Sequence, residues 1–293
     1  MVSERQEPGP LNGYNTSIIA YGAIGTGKSY TIGTNFVKGA DKHSNAGLIQ
    51  RILHDLFREM GTKNFVLKVS FLELYKEVIY DLLIKKSQSL NMRDDGDSIQ
   101  VLGLTELTVD SHEEVFDILE NNVKNRKARH SHLMFNITLI DPQNPLIDVK
   151  GVKLQFVDLA PYVSMKTSRI PRKEEINVNL GFLSLGKVVQ ELNRKKKFIS
   201  YRDSKLTRLL KDSLGGNNFT IIFACISNAR NNLDENLHAL KFISNMRGVK
   251  SIAVPVNDSY DVQIKRLTSQ VFITKKFWFL IMNMLNVNFS KEV

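Results

Sequence analysis

Eight consecutive residues carry the most specific chemistry in the chain. Gly22-Ala23-Ile24-Gly25-Thr26-Gly27-Lys28-Ser29 fits G-x-x-x-x-G-K-[ST], the pattern of a phosphate-binding loop. Glycines at Gly22, Gly25 and Gly27 let the backbone curl around a polyphosphate and turn its N–H groups inward. Lys28 is placed to reach the β- and γ-phosphates, and the Ser29 hydroxyl to ligate Mg²⁺. Tyr30 follows directly and belongs to the same candidate site. The ordinary alternative is a glycine-rich turn with a chance lysine. Context argues against it: the apolar run Ser17–Tyr21 suits a buried strand, and a helix can start at Lys28, which is the order the motif requires. A second metal-binding candidate is Asp158, which ends the apolar run Phe156-Val157-Asp158-Leu159. A strand-end aspartate by itself is an ordinary turn residue. Beside a phosphate loop it is the natural holder of the Mg²⁺ shell.

Elements that could position these groups are legible around them. Helical spacing is present at Leu48, Ile52, Leu56 and Phe57, with Gly61 as its stop, and again through Glu113–Glu120. A longer helix is expected from Glu174, with Phe182, Leu185, Val189 and Leu192 on one face. Further helices are expected over Lys205–Leu214 and Asn232–Met246. Strands are expected over Asn64–Leu74, Leu133–Ile140, Val152–Leu159 and Phe219–Ile226, with a Pro-containing turn over 141–145 between two of them. Glu77–Leu83 closes a unit, and Ser87–Asp97 reads as a polar surface loop. Strands alternating with helices predict an α/β fold, a central sheet with helices on both faces.

Composition bounds the partners. A formal net charge of +10 calls for something acidic: nucleic acid, an anionic membrane or an acidic protein surface. Nine basic residues fall between Lys187 and Lys211, opposed only by Glu191 and Asp203. Their ordinary reading is a solvated face. Aromatic interleaving is thin, at Phe198 and Tyr201, which argues against a single-strand stacking platform. With one cysteine, zinc-finger spacing and an intrachain disulfide are excluded, and Cys225 is expected as a buried core thiol. The N-terminus lacks signal-peptide character and no apolar run approaches the roughly 20 residues of a membrane span, so no membrane partner is expected. A cytosolic or nuclear location follows.

These blocks, taken together, resemble kinesin motor domains over roughly residues 13–257. Gly13–Ile32 is similar to the kinesin phosphate-loop signature, and Ile199–Leu210 to a microtubule-facing loop and helix. Val157-Asp158-Leu159-Ala160 resembles the start of the second switch, Ile176–Asn179 the start of the relay helix, and Asn232–Gly248 the last motor helix. Lys68–Leu83 and Val101–Glu106 look most like the chromokinesin branch. The resemblance implies a P-loop NTPase fold of the kinesin type, ATP and Mg²⁺ as cofactors, and microtubules as partner, whose acidic tubulin tails suit the basic face. Tyr201, Arg202, Lys205 and Arg208 then face tubulin. The implied organisation is a loose arm at 1–13, a motor domain over 14–249, a neck-linker-like segment at 250–257 and a tail at 258–293. The implied location is the microtubule cytoskeleton of the cytoplasm, with nucleus or spindle as further options.

Departures from the family pattern are equally specific. Kinesins carry a first strand and an R-x-R-P base-contacting motif ahead of the phosphate loop. Only 21 residues precede Gly22 here, so the first strand is expected to be missing and a sheet edge left open. The first switch, roughly N-x-x-S-S-R-S-H, reads Asn125-Arg126-Lys127-Ala128-Arg129-His130-Ser131-His132: its two leading serines and its arginine are replaced. The second, D-L-A-G-S-E, reads Asp158-Leu159-Ala160-Pro161-Tyr162-Val163. Pro161 has no N–H for a γ-phosphate, and the closing Glu–Arg pair is replaced by Val163 and His130. Three readings remain open: a microtubule-stimulated ATPase, a non-hydrolysing microtubule-binding module, and a product that does not fold stably. Nucleic-acid binding by the basic face ranks below them. The absence of N-K-x-D argues against a small GTPase. Val271–Val293 is apolar and has no family counterpart.

Overall fold

The computed structural model describes residues 9–35, 46–61, 65–86, 88–94, 98–140, 151–162, 172–229 and 232–256, with the backbone alone for 172–179. Nine strands form one mixed sheet: β1 (Thr16–Gly22), β2 (Val66–Tyr75), β3 (Val78–Asp81), β4 (Ser89–Asp94), β5 (Ile99–Leu102), β6 (Leu107–Val109), β7 (His132–Ile140), β8 (Val152–Asp158) and β9 (Phe219–Cys225). The helices are α1 (Lys28–Ile32), α2 (Leu48–Met60), α3 (His112–Asn122), α4 (Arg172–Asn193), α5 (Lys205–Leu209) and α6 (Leu233–Met246).

Strand order is β5-β4-β3-β2-β7-β8-β1-β9, with β6 pairing onto β2. β1 lies parallel between β8 and β9, so Ile18 sits opposite Phe156 on one side and Ile221 on the other. Every residue of β1 is buried. That explains its unbroken apolar run, since a strand covered on both faces has no solvent side to alternate with. The long antiparallel pair β2–β7 forms the rest of the frame, with Phe71 opposite Phe135.

Helices cover both faces, as expected. On one face Ile18, Phe71, Phe135 and Phe156 pack with Ile49, Leu53 and Leu56 of α2 and with Val115 and Leu119 of α3. On the other, Ile19, Tyr21, Met134 and Val157 pack with Phe182, Leu185 and Val189 of α4, Leu206 of α5 and Met246 of α6. Leu53 is wholly buried, and truncating such a residue to alanine costs about 2–5 kcal/mol.

Three expectations need correction. Ser89–Asp94, inside the expected loop, is a strand. Its alternating exposure turns Leu90 and Met92 toward the second core cluster, and pairing with β3 and β5 supplies what two apolar residues alone do not signal. The helix expected over Lys205–Leu214 ends at Leu209, and the chain continues as turns into Gly215. Pro10–Asn12, placed in the loose arm, forms a 3-10 turn whose Leu11 packs against the first cluster. The Pro-containing turn at 141–145 lies outside the described residues.

Candidate nucleotide site and basic face

The Gly22–Ser29 loop joins the C-terminal end of β1 to α1, where an open parallel sheet presents its ligand crevice. A side chain at Gly22 would place its Cβ 2.2 Å from the Cys225 carbonyl, so the loop can leave the sheet here only as glycine. Gly27 caps α1 with φ 89°, a left-handed conformation that favours glycine. Ile24, Gly25 and Gly27 are exposed, Ala23 is buried, and Tyr30 is exposed at the outer side of α1. Thr26 donates its hydroxyl to the Ala23 carbonyl, which holds the loop curled. The helix after the loop is only five residues long, since Gly33 ends it in a left-handed cap.

Lys28 is 7% exposed, and its ammonium donates to the Ala23 carbonyl at 2.6 Å, folded back into the loop. Burial pushes its pKa down from 10.5 to about 8, against the pull of Asp158 and Cys225 and with the push of Arg126. A cation held this way at the mouth of a glycine loop is matched to an anion. Ser29 donates to Asp158 at 2.6 Å and Thr34 to the same carboxylate oxygen at 2.8 Å. One carboxylate and two hydroxyls are hard oxygen donors. They suit Mg²⁺, which binds through few protein oxygens and keeps water and phosphate in its remaining positions. No cluster of three or more His, Cys, Asp or Glu residues suited to a metal occurs among the described residues. The carboxylate and hydroxyl oxygens gathered at Asp158 leave coordination positions open to phosphate oxygens and water. Thr34 has no motif signal in the sequence.

The segment Asn125–His132 is tied to β2 by Glu73, which is wholly buried. The Glu73 carboxylate accepts from the backbone N–H of Lys127 at 2.7 Å, that of Ala128 at 3.2 Å, and the Ser131 hydroxyl. Arg126 donates to the Ser131 hydroxyl and to the Arg129 and Ser131 carbonyls, and its Nε lies 3.9 Å from Glu73. Burial lowers the Arg126 pKa, opposed by Asp158 and Glu73. Asn125 donates to the Leu82 carbonyl. Arg129 is exposed and His130 half-exposed. Ser131, one of the residues kept from the family's first switch, thus gives its hydroxyl proton to Glu73. The sequence signal for Glu73 was a lone carboxylate between leucines in an apolar strand.

Beyond Asp158 the chain is stapled residue by residue. Leu159 N–H donates to the Ala20 carbonyl, Ala160 N–H to His132 Nδ1 at 3.1 Å, and Tyr162 N–H to the Gly22 carbonyl. Pro161, buried between them, has no N–H to offer. His132 must be neutral at Nδ1 to accept this bond. Burial, with Arg126 nearby, holds its pKa down at about 3. The Tyr162 ring stacks on His238 of α6 at 3.8 Å and 5°, and Tyr21 Oη lies 3.2 Å from His238 Nδ1. Val163 lies outside the described residues.

The basic stretch forms the outer end of α4 and the loop after it. Lys187, Arg194, Lys195, Lys196 and Lys197 are exposed, with Leu183 and Phe198 exposed among them. Of the four residues expected to meet tubulin, Arg202 is exposed and reaches Asp94 of β4 at 3.4 Å. Lys205 and Arg208 are half-exposed on α5. Tyr201 turns inward, donating its hydroxyl to the Leu214 carbonyl, and burial raises its pKa to about 12. Residues 250–256 run along the body: Ile252 N–H donates to the Gly216 carbonyl, Val254 N–H to Asn217 and Val256 N–H to the Gly13 carbonyl.

Comparison with known proteins places these features in context. Residues 8–249 match the kinesin motor domain family. Chromosome-associated kinesin KIF4 of Mus musculus is 37% identical over 285 residues, which cover 90% of this chain and 23% of that protein. KIF4A of Homo sapiens is 37% identical over 286 residues, and kinesin-like protein KIN-4C of Arabidopsis thaliana 33% over 313. The chain thus spans about a quarter of the length of these relatives. A solved KIF14 dimer, two heads bound with AMP-PNP in complex with a microtubule, superposes with a TM-score of 0.74 at 30% identity. It covers 88% of this chain and 78% of its own.

Proposed function

The chain belongs to the kinesin motor domain family, and from that premise we propose that it is a microtubule-docking unit that binds ATP with Mg²⁺ and hydrolyses it slowly. The Gly22–Ser29 loop wraps the polyphosphate and Lys28 neutralises it. Ser29, Asp158 and Thr34 are the residues that hold Mg²⁺ and its water shell. The metal, when bound, neutralises charge on the phosphates. Residues 14–249 form the motor unit, and 250–257 act as its neck linker. The basic face around α4 and α5, with Arg202, Lys205 and Arg208, meets the acidic surface of tubulin, and Tyr201 supports that face from within. The location this implies is the microtubule cytoskeleton, in keeping with the solved KIF14 complex and the chromosome-associated names of the KIF4 relatives.

One observation carries the slow turnover: no backbone N–H from Leu159 to Tyr162 is free for a γ-phosphate. Three are committed to Ala20, His132 and Gly22, and Pro161 has none. Losing a single preorganised donor of this kind costs a factor of roughly 10²–10³ in rate. Nucleotide exchange and docking need no such donor.

Co-sedimentation tests the docking half. With microtubules, the protein is expected to pellet less as salt rises and to change affinity between AMP-PNP and ADP. Equal retention on duplex DNA, indifferent to nucleotide, would contradict the reading and favour a general polyanion surface.

A further inference from the structure

β9 forms the end of the sheet, with β1 on one side and no strand on the other among the described residues. Phe219 N–H donates toward β1, to the Asn15 carbonyl. Backbone groups alternate along a strand, so Thr220, Ile222 and Ala224 turn theirs outward. The strand reads Phe-Thr-Ile-Ile-Phe-Ala-Cys, without the lysine or proline that ordinarily guards an edge. Two further features adjoin it, one of mixed lining and one apolar. A cavity of about 230 Å³ lies between Thr220 and Ile222 of β9, Met246 and Val249. On α6, Leu233, Leu237 and Leu240 are 62%, 46% and 47% exposed at i, i+4 and i+7, a continuous stripe. A single exposed leucine is ordinary, whereas an unpaired edge flanked by a cavity and a leucine stripe is an interaction surface.

We propose that residues 271–282 of this same chain dock on that surface, adding a strand to the β9 edge and laying aromatic side chains over the cavity and the α6 stripe. Three observations select this occupant. The described chain ends at Val256, hydrogen-bonded to Gly13 ahead of β1, and Ile252 is bonded to Gly216 ahead of β9, so it leaves at the end of the sheet where both strands begin. Residues 257–270 span about 45 Å when extended, ample to turn back along β9. Residues 271–282 read V-F-I-T-K-K-F-W-F-L-I-M, rich in the β-branched and aromatic types that fit a half-buried strand. Tethering gives this segment an effective concentration near the millimolar range, which favours it over the same edge of a second copy. The inference does not depend on nucleotide handling.

Hydrogen exchange on the full chain tests it. The amides of Thr220, Ile222 and Ala224 are expected to exchange about a hundred-fold slower than open amides, at every protein concentration. Ile273→Pro removes a ladder donor and should return those three to fast exchange while β1 and β7 stay protected. The chain's single tryptophan, Trp278, gives an independent readout. Its emission should be blue-shifted in the full chain and move red in Leu237→Glu, a surface change that spares the core. Open amides in the full chain, or protection indifferent to Ile273→Pro, would overturn the proposal. Protection that fades on dilution would overturn it in favour of a second copy.

Discussion

The phosphate cradle and the two segments that should sense its contents have diverged within one site. In the cradle, each family residue type stands where its chemistry requires it: glycine where a Cβ would strike Cys225, a buried ammonium at Lys28, and hydroxyls converging on Asp158. In the sensing segments the donors are spent inside the protein. Glu73 takes two backbone N–H groups and the Ser131 hydroxyl, and β1 and His132 take those of Leu159, Ala160 and Tyr162. Binding a phosphate needs only that Lys28 and Ser29 exchange their bonds to Ala23 and Asp158 for the ligand's oxygens. Cleaving one needs donors that wait for charge to develop, and here those donors are already satisfied without it.

The sharpest way to break this contrast is to free the first sensing segment. Glu73→Ala removes the buried carboxylate that holds Lys127, Ala128 and Ser131, and takes one of the two carboxylates, with Asp158, that offset the buried Arg126 charge. It should cost about 3–5 kcal/mol in denaturant unfolding. Next is Lys28→Ala, which should weaken nucleotide binding about a hundred-fold by calorimetry, since charge-assisted bonds to phosphate contribute about 1.5–3 kcal/mol each. The same lysine predicts a pH dependence. In the empty loop it titrates near 8, so affinity is level below that and falls about tenfold per pH unit above it, as the ammonium phosphate needs is lost. The stability of the empty protein moves the other way. With its pKa lowered from 10.5 to about 8, the unfolded chain binds more protons across that window, so this group adds stability as pH rises through it. The smallest effect is restoration: Pro161→Gly returns one N–H to the second sensing segment and should raise turnover about tenfold, less than a full donor's contribution because His130 still stands for the family's arginine.

Much of this was legible beforehand, for physical reasons. The loop, Asp158 and β1 are local: a glycine pattern and an apolar run declare themselves without knowledge of partners. The apolar face of α4 at Phe182, Leu185 and Val189 did so by its period. β4 did not, because two apolar residues among charges make a strand only once β3 and β5 lie beside them. Glu73 and Thr34 were missed as members of the site because their roles rest on contacts 54 and 124 residues distant in sequence. Pro161 was legible as a lost donor, but the commitment of its neighbours to Ala20, His132 and Gly22 appears only in the fold.

The central claim is that this protein holds ATP but cleaves it poorly. Steady-state ATP turnover, with and without microtubules and beside a Lys28→Ala control, tests it most directly. The expected result is measurable nucleotide binding with low turnover that microtubules barely raise. Robust microtubule-stimulated turnover, abolished by Lys28→Ala, would contradict it.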